Sequence, residues 1–295
     1  MSQAIGGLWA ACATPVSAAG LINHDALTRH AARLLDQGCD GLVLFGTSGE
    51  GPSFSIAQRL AATEAVLRAG IAPERLALGT GCSAVADTAA MTQATLALGV
   101  TRAMILPPFY FAGAPAQGIE DAFAEVLDSV ADDRLRVCLY HIPQVCGVGV
   151  PPEVLGRLRR RYGASVCGVK DSSGDFESFR AFRQAAPDAA VLVGAEVLIH
   201  RALAEGGAGT ICGMANLVPA LVRRMFDGPA ATSDMEAACA LIDGIPMLKA
   251  ALAALVHEPL WAVMRPPLRA ASPELAARAA ARLATLNGGA QLAAE

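Results

Sequence analysis

Eight short apolar segments, separated by stretches of helical periodicity, constrain the fold of this chain more than any other feature. The segments cover residues 8–15, 41–46, 76–81, 103–108, 136–142, 165–170, 190–195 and 209–213. Because they are continuously apolar rather than alternating, they are typical of parallel strands that are buried on both faces. Between them, residues 24–38, 55–70 and 118–131 have the spacing of amphipathic helices. Gly38 and Gly70 stand where glycine commonly follows a helix C-terminus.

This alternation predicts an α/β protein, a (β/α)₈ TIM barrel with a C-terminal helical extension. An open doubly wound sheet is the alternative, but the strand count reaches eight and no glycine-rich dinucleotide fingerprint follows the first strand. The strands stop near residue 216, and predicted helices follow at 217–227, 232–256 and 272–286. We therefore expect a barrel formed by residues 1–216 and a helical region, 217–295, packed on it.

Composition and charge argue against some classes of binding partner. Hydrophobic residues make up 54% and charged residues 17% of the chain, which indicates a globular protein with a large core. The formal net charge of −4 and the lack of a basic block argue against nucleic acid and an anionic membrane surface as partners. The sequence does not open on a basic leader, and charges interrupt the apolar stretch around Lys249, so we expect a cytoplasmic protein without a membrane span.

The cysteines and histidines do not form a metal-binding pattern. None of the eight cysteines belongs to a C-x-x-C pair, and no H-x-x-x-H motif is present, so we expect no metal and no cofactor. We assign the cysteines to the core as small apolar side chains. Cys146, which follows a motif loop, is the cysteine whose reactivity is worth testing. The histidines assigned to structure are His24, His30, His200 and His257.

Polar side chains gather where the predicted strands end, which is the face where TIM barrels hold their active sites. They are Thr47, Ser48, Tyr110, Tyr140 and Lys170. Lys170 stands out because the chain has 23 lysines and arginines, of which only Lys170 and Lys249 are lysines.

A lysine at a strand end can do chemistry that arginine cannot. Apolar surroundings disfavour the ammonium form, and the neutral amine can attack a ketone to give a Schiff base. The protonated imine then accepts electrons while a neighbouring carbon–carbon bond forms or breaks. A tyrosine hydroxyl near the imine, helped by a hydroxyl such as that of Thr47, is a suitable proton carrier. The alternative interpretation is a structural ion pair between Lys170 and its neighbour Asp171.

The stretch GTSGEG at 46–51 favours an anion site. Its small residues leave backbone N–H groups free to approach an anion, and the hydroxyls of Thr47 and Ser48 add donors, so a carboxylate would fit there. Glu50 could hold this loop in place without contacting the anion itself. The alternative is an ordinary tight turn whose Ser or Thr caps the following helix.

Several motifs at the strand ends occur in the same order in one known group of enzymes. They are F-G-T-S-G-E-G at 45–51, P-P-F-Y at 107–110, Y-H-I-P at 140–143, G-V-K-D at 168–171 and G-T-I-C-G-M-A-N at 209–216. On these residues, and over essentially its whole length, the chain resembles the N-acetylneuraminate lyase and dihydrodipicolinate synthase superfamily of pyruvate-dependent class I aldolases.

The resemblance implies a catalytic role for four residues. Lys170 would form the Schiff base with the pyruvyl carbon, and Tyr140 would carry the proton. Thr47 would link Tyr140 to Tyr110. Because the tyrosine at the Tyr110 position reaches into a neighbouring subunit's site in this superfamily, the resemblance also implies a homo-oligomer, a dimer or a tetramer.

The resemblance also implies how the substrate is held. Thr47 and Ser48 would hold the pyruvate carboxylate, and Ile211 would contribute a backbone carbonyl near bound pyruvate. This chain departs from the known enzymes at two positions, and both affect which substrate is expected beyond its pyruvyl half. Dihydrodipicolinate synthases carry an arginine shortly after the Y-x-x-P motif, where this chain has Val145. Neuraminate lyases usually lack an acid directly after the lysine, where this chain has Asp171.

These departures favour a substrate among the 2-keto-3-deoxy sugar acids, as in 2-keto-3-deoxygluconate-type aldolases, with cleavage to pyruvate and an aldehyde. The side chains that could meet sugar hydroxyls are Gln144, His141, Ser172 and Ser173. For His141 we favour a structural position between strand and helix. Alternatives are a 2-keto-3-deoxy acid dehydratase or hydratase-aldolase and, less favoured, 4-hydroxy-tetrahydrodipicolinate synthase. Outside enzymes, the alternative is a keto-acid-binding sensor.

Overall fold

Eight parallel strands form a closed barrel. The computed structural model describes residues 5–288. The strands are β1 (Gly7–Ala11), β2 (Gly41–Leu44), β3 (Leu76–Gly79), β4 (Arg102–Ile105), β5 (Arg136–His141), β6 (Val166–Asp171), β7 (Ala190–Val193) and β8 (Gly209–Cys212). They follow one another around the barrel in chain order. The predicted TIM barrel is therefore confirmed, and each strand lies within or beside the apolar segment that predicts it.

Helices follow the strands, and four more follow β8, which confirms the C-terminal helices. The helices are α1 (His24–Asp36), α2 (Ile56–Arg68), α3 (Val85–Ala97), α4 (Ala116–Val130), α5 (Pro143–Cys146), α6 (Pro152–Tyr162), α7 (Phe176–Ala185), α8 (Ile199–Ala204), α9 (Pro219–Asp227), α10 (Thr232–Cys239), α11 (Gly244–Val256) and α12 (Pro273–Leu286). Short 3₁₀ turns occur at Gly51–Ser53, Pro73–Arg75, Gly163–Ser165, Glu196–Leu198, Met214–Asn216, Pro229–Ala231 and Pro259–Ala262.

Cap chemistry explains where the first two helices begin and end. α2 starts with a capping box, in which Ser55 Oγ accepts from the Gln58 N–H and Gln58 Oε1 accepts from the Ser55 N–H. Gly38 and Gly70, which follow α1 and α2, each have φ of +94°, a conformation that favours glycine. The glycine signals in the sequence therefore mark the helix ends correctly.

One predicted helix is wrong, because residues 232–256 form α10 and α11 rather than a single helix. Gly244 has φ of +71° and Pro246 has no N–H to donate, so a helix can begin there but cannot run through. In the part of the chain from 5 to 288, no single helix has the length and hydropathy of a membrane span. Residues Pro229–Cys239 and α11 pass that test only together, as a pair bent by 99°.

The chain divides into two compact units. Of the described residues, one unit combines residues 5–7 with Pro73–Ile211 and contains β3 to β7 and most of β8. The other combines Leu8–Ala72 with residues 212–288, and contains most of β1, all of β2, and helices α1, α2 and α9–α12. The boundary between barrel and extension at residue 216 stays a prediction.

Candidate active site

Lys170 lies on β6, a strand whose residues are all buried. Lys170 is 4% exposed, and the parallel register of β5 and β6 places it opposite Tyr140 of β5. Lys170 Nζ lies 3.4 Å from the Tyr140 hydroxyl and 4.5 Å from the centroid of the Tyr140 ring. The structure therefore brings together the two residues predicted as nucleophile and proton carrier, at a separation that allows a weak hydrogen bond.

Lys170 and Asp171 do not form the ion pair that was the alternative interpretation. No salt bridge within residues 5–288 includes Lys170. Successive residues of a strand point to opposite faces, and Asp171 Oδ1 instead accepts from the Ser173 N–H at 2.9 Å. The amine of Lys170 therefore lies beside a phenol, and no carboxylate among residues 5–288 forms a salt bridge with it.

Gly194 follows β7 directly and lies beside Lys170. Because glycine has no side chain, it leaves space there. A Cβ at this position would overlap Ser172 Oγ and approach Lys170 Cε to 3.2 Å. The Gly194 N–H donates to the Asp171 carbonyl at 2.7 Å, which fixes the backbone in this place. Glycine at position 194 therefore leaves room for the present side-chain positions of Lys170 and Ser172.

His141, at the end of β5, occupies the structural position favoured from the sequence. Its Nδ1 accepts from the Val150 N–H at 2.9 Å, so the neutral ring carries its proton on Nε2. The ring packs edge-on against Phe182 of α7 with centroids 5.3 Å apart. Burial lowers the pKa of His141, an effect that the nearby Asp171 carboxylate partly offsets. These contacts explain His141 as a packing residue between strand and helix.

The loop after β5 contacts the loop after β6, and it contains no cationic side chain. Gln144 Nε2 donates to the Ser172 carbonyl at 2.5 Å. Val145 is 62% exposed, at the place where the synthases of this superfamily carry arginine. Residues 140–151 contain neither lysine nor arginine. This loop therefore offers no positive charge to a substrate carboxylate.

Tyr110 lies in the loop after β4 and is 77% exposed. Its ring packs edge to face against Phe111, which is 74% exposed, with centroids 5.3 Å apart. Its hydroxyl forms no hydrogen bond within the part of the chain that the structure describes. The two side chains thus present an aromatic surface to solvent, and the link from Thr47 to Tyr110 stays a prediction.

The residues predicted to bind the substrate, Thr47 and Ser48 through its carboxylate and Ile211 through a backbone carbonyl, lie in loop 46–51 and in β8. Thr47 and Ser48 are half-buried in loop 46–51, whose other residues are buried. Within residues 5–288, the backbone N–H groups of Ser48 and Gly49 donate to no protein atom, a property expected of an anion-binding turn. Ile211 is fully buried in β8.

Loop 46–51 is held in a strained shape at both ends. Phe45 and Glu50 have φ of +59° and +51°, values that side chains with a Cβ rarely adopt. The Glu50 N–H donates to the Thr47 carbonyl at 3.0 Å, and Thr14 Oγ1 donates to the Gly49 carbonyl at 2.7 Å. These contacts tighten the turn that carries Thr47 and Ser48.

Glu50 holds loop 46–51 in place, as the sequence suggests, but the sequence alone did not predict which residues Glu50 contacts. The side chains of Glu50 and Lys249 are both 0% exposed and form an ion pair. Lys249 Nζ also donates to the Val263 carbonyl at 2.8 Å, and the Arg265 N–H donates to Glu50 Oε2 at 3.0 Å. The rarity of lysine in this chain was the signal that could have drawn attention to Lys249.

Five of the eight cysteines are buried, as the sequence predicts, and three are half-buried. None of them forms a disulfide within residues 5–288. Burial raises the pKa of Cys12 to about 12 and that of Cys167 to about 11. Cys146 is half-buried, with Sγ 3.0 Å from the Val148 carbonyl. Among residues 5–288, no cluster of three or more His, Cys, Asp or Glu side chains could hold a metal ion.

Comparison with known proteins identifies the family. The sequence model of the dihydrodipicolinate synthetase family matches residues 4–265. The chain belongs to this family. An uncharacterized DapA-like lyase of Chloroflexus aurantiacus is 35% identical over 286 residues, which cover 93% of this chain and 95% of that protein. Members of the family are lyases that act through a Schiff base, so the protein is an enzyme of this class rather than a non-catalytic sensor.

Two solved structures show how far the likeness extends. The crystal structure of dihydrodipicolinate synthase from Agrobacterium tumefaciens is 32% identical, with a TM-score of 0.88, and covers 96% of this chain and 99% of that chain. A variant of 2-keto-3-deoxygluconate aldolase from Sulfolobus solfataricus is 18% identical, with a TM-score of 0.82 and coverage of 96% and 97%. The second likeness is one of fold alone.

Proposed function

We propose that the protein is a pyruvate-dependent class I aldolase that cleaves a 2-keto-3-deoxy sugar acid, or a related 2-oxo acid, to pyruvate and an aldehyde. The observation that carries this proposal is the buried Lys170 amine, which lies 3.4 Å from the Tyr140 hydroxyl and forms no salt bridge with a carboxylate among residues 5–288. A neutral amine is the form that attacks a carbonyl carbon, and a phenol beside it can move the protons that imine formation requires.

The proposed reaction begins when Lys170 Nζ adds to the oxo carbon and a water molecule leaves, giving an imine. Tyr140 gives its proton as the water leaves, so that the imine is protonated and Tyr140 becomes a phenolate. The phenolate then takes the proton from the C4 hydroxyl, the bond between C3 and C4 breaks, the aldehyde leaves, and the electron pair moves into the imine to give an enamine. Tyr140 returns the proton to C3 of the enamine, and water then releases pyruvate and restores both the amine and the phenol.

The other predicted residues complete this site. Thr47 and Ser48 hold the substrate carboxylate, and the N–H groups of Ser48 and Gly49, which donate to no protein atom within residues 5–288, support this role. Ile211 supplies a backbone carbonyl near the pyruvyl group. Thr47 links Tyr140 to a Tyr110 from a second subunit. The exposed aromatic pair Tyr110–Phe111 supports this arrangement, because large exposed apolar side chains are typical of surfaces that bind another chain. The protein is therefore a homo-oligomer in this proposal.

The substrate class rests on the loop after β5. A second carboxylate on the aldehyde half would need a cation, since burying an unpaired carboxylate is unfavourable. The exposed Val145 and the lack of any lysine or arginine in residues 140–151 argue against such a substrate. A sugar-derived aldehyde with hydroxyl groups is compatible with Gln144, Ser172 and Ser173.

Trapping with borohydride tests the chemistry directly. Incubation with pyruvate and borohydride should reduce the imine and leave a stable adduct on Lys170, located by peptide mass spectrometry. Lys249 is an internal control, because it is buried in an ion pair and should stay unmodified. Lys170→Arg removes the nucleophile, because a guanidinium does not attack a ketone, and should abolish trapping. An unmodified Lys170 in a folded wild-type protein would rule out the proposal.

A product screen tests the substrate. The protein should release pyruvate from one or more 2-keto-3-deoxy sugar acids and show little reaction with pyruvate and aspartate semialdehyde. A product that has lost water without carbon–carbon cleavage would instead identify a dehydratase. Efficient condensation with aspartate semialdehyde would identify the synthase and show that the inference from Val145 is wrong.

A further inference from the structure

The ion pair between Glu50 and Lys249 is a buried charged contact that the chemistry at Lys170 does not use. Both side chains are 0% exposed. Taking two opposite charges out of water is unfavourable, and a well-packed apolar pair of similar size often gives equal stability. Stability alone therefore does not account for a charged pair at this position.

The position of the pair suggests another role. Glu50 is the last residue before Gly51 in the turn that carries Thr47 and Ser48. Its left-handed backbone, with φ of +51°, persists only if the surroundings hold it. A Cβ at Gly51 would overlap the Phe45 carbonyl oxygen, so only glycine fits at this point of the turn. The Glu50 carboxylate supplies a further restraint on the turn through its own partners.

The partners of Glu50 come from the C-terminal helical region. Lys249 lies on α11, where its ammonium also donates to the Val263 carbonyl at 2.8 Å. The backbone N–H of Arg265 donates to the second carboxylate oxygen at 3.0 Å. The Arg265 side chain in turn donates from Nη1 to the Gly20 carbonyl at 2.9 Å. Both oxygens of Glu50 are therefore fixed by groups more than 190 positions along the chain, as the separation of 199 residues between Glu50 and Lys249 shows.

We propose that Lys249 is a positioning residue, which holds loop 46–51 through Glu50 in the shape that binds the substrate carboxylate. This inference rests on the proposed function, in which Thr47 and Ser48 contact that carboxylate. Lys249 itself does not touch the substrate. Its loss lets the turn relax, so the affinity for the 2-oxo acid falls while the Lys170–Tyr140 pair keeps its chemistry.

The test measures how borohydride trapping at Lys170 depends on pyruvate concentration. In Lys249→Met, a neutral side chain of similar length, the half-saturating pyruvate concentration should rise by about tenfold or more, because a misplaced binding group loses affinity of this order. The fraction of Lys170 trapped at saturating pyruvate should match the wild type. Glu50→Gln should shift the midpoint in the same direction but less, because its amide oxygen still accepts from the Arg265 N–H.

The matched control is Arg29→Met, which breaks the exposed ion pair between Arg29 and Glu258 in the same unit. It should leave both the midpoint and the trapped fraction unchanged. A purely structural role for Lys249 would lower the trapped fraction and leave the midpoint where it is. That result, or an unchanged midpoint in folded Lys249→Met or Glu50→Gln, would overturn the proposal.

Two further outcomes keep the test decisive. If Lys249→Met does not fold, the double variant Glu50→Gln/Lys249→Met, which leaves no buried charge, takes its place and should show the same shift. If wild-type protein and Arg29→Met both fail to trap pyruvate, the proposed function fails, whatever the variants at Lys249 and Glu50 do.

Discussion

Replacing Tyr140 by phenylalanine separates the binding of the keto acid from the chemistry. The Tyr140 residue is 2% exposed in the core. Phenylalanine keeps the ring and its contact with Lys170, whose Nζ lies 4.5 Å from the ring centroid. The substitution removes the Tyr140 hydroxyl oxygen, which lies 3.4 Å from Nζ.

The geometry sets the expected magnitudes. A hydrogen bond as long as 3.4 Å is weak. Even an ordinary intramolecular hydrogen bond contributes only about 0.5–1.5 kcal/mol, so pyruvate binding should change by less than about tenfold. A positioned proton carrier, in contrast, accelerates a reaction by about 10²- to 10⁴-fold. Tyr140→Phe should therefore lower kcat by about two to four powers of ten and leave KM nearly unchanged.

Steady-state pyruvate release and the pyruvate dependence of borohydride trapping measure the two effects separately. Circular dichroism and thermal unfolding show whether the variant keeps its fold. An unchanged kcat would refute the role of Tyr140 as proton carrier. A loss of pyruvate affinity as large as the loss of kcat would show that the hydroxyl binds substrate instead of moving a proton.

Two further substitutions test the packing around the site and the core. Gly194→Ala places a Cβ against Ser172 Oγ and near Lys170 Cε, so it should lower kcat by roughly tenfold and unfolding stability by about 1–3 kcal/mol; wild-type kcat in the alanine variant would show that this space is not needed. Burial, together with the Arg33 guanidinium that donates to Nδ1 at 2.8 Å, lowers the pKa of His30 from 6.5 to about 3. The unfolded chain therefore binds a proton below pH 6.5 that the folded protein does not, and at about pH 4.5 this difference costs roughly 2–3 kcal/mol of stability. In His30→Gln, the free energy of unfolding in urea should not show this loss between pH 7 and about pH 4.5. An equal loss of stability in the variant and the wild type would contradict the role of His30.

Local patterns in the sequence were sufficient for the barrel. The continuously apolar segments predict all eight strands because a strand buried on both faces needs no polar positions. Gly38 and Gly70 predict two helix ends because glycine tolerates their φ of +94°. The same reasoning failed at residues 232–256, where alanine and leucine suggested one helix although Gly244 and Pro246 divide it.

The pairing of Lys170 with Tyr140 was also within reach of the sequence. Both residues stand next to last in neighbouring strands, and the parallel register of β5 and β6 places them side by side. The alternation of side chains along β6 could even have excluded the pair Lys170–Asp171, because consecutive residues of a strand face opposite ways.

Only the tertiary structure decided what holds loop 46–51 in place. Lys249 appears in the sequence as a charge that interrupts an apolar helix, and nothing near it indicates a partner. The ion pair with Glu50 joins residues 199 positions apart. Periodicity reports which face of an element is buried, but the packing of distant elements determines which buried charges meet, because each must find its opposite to be stable away from water.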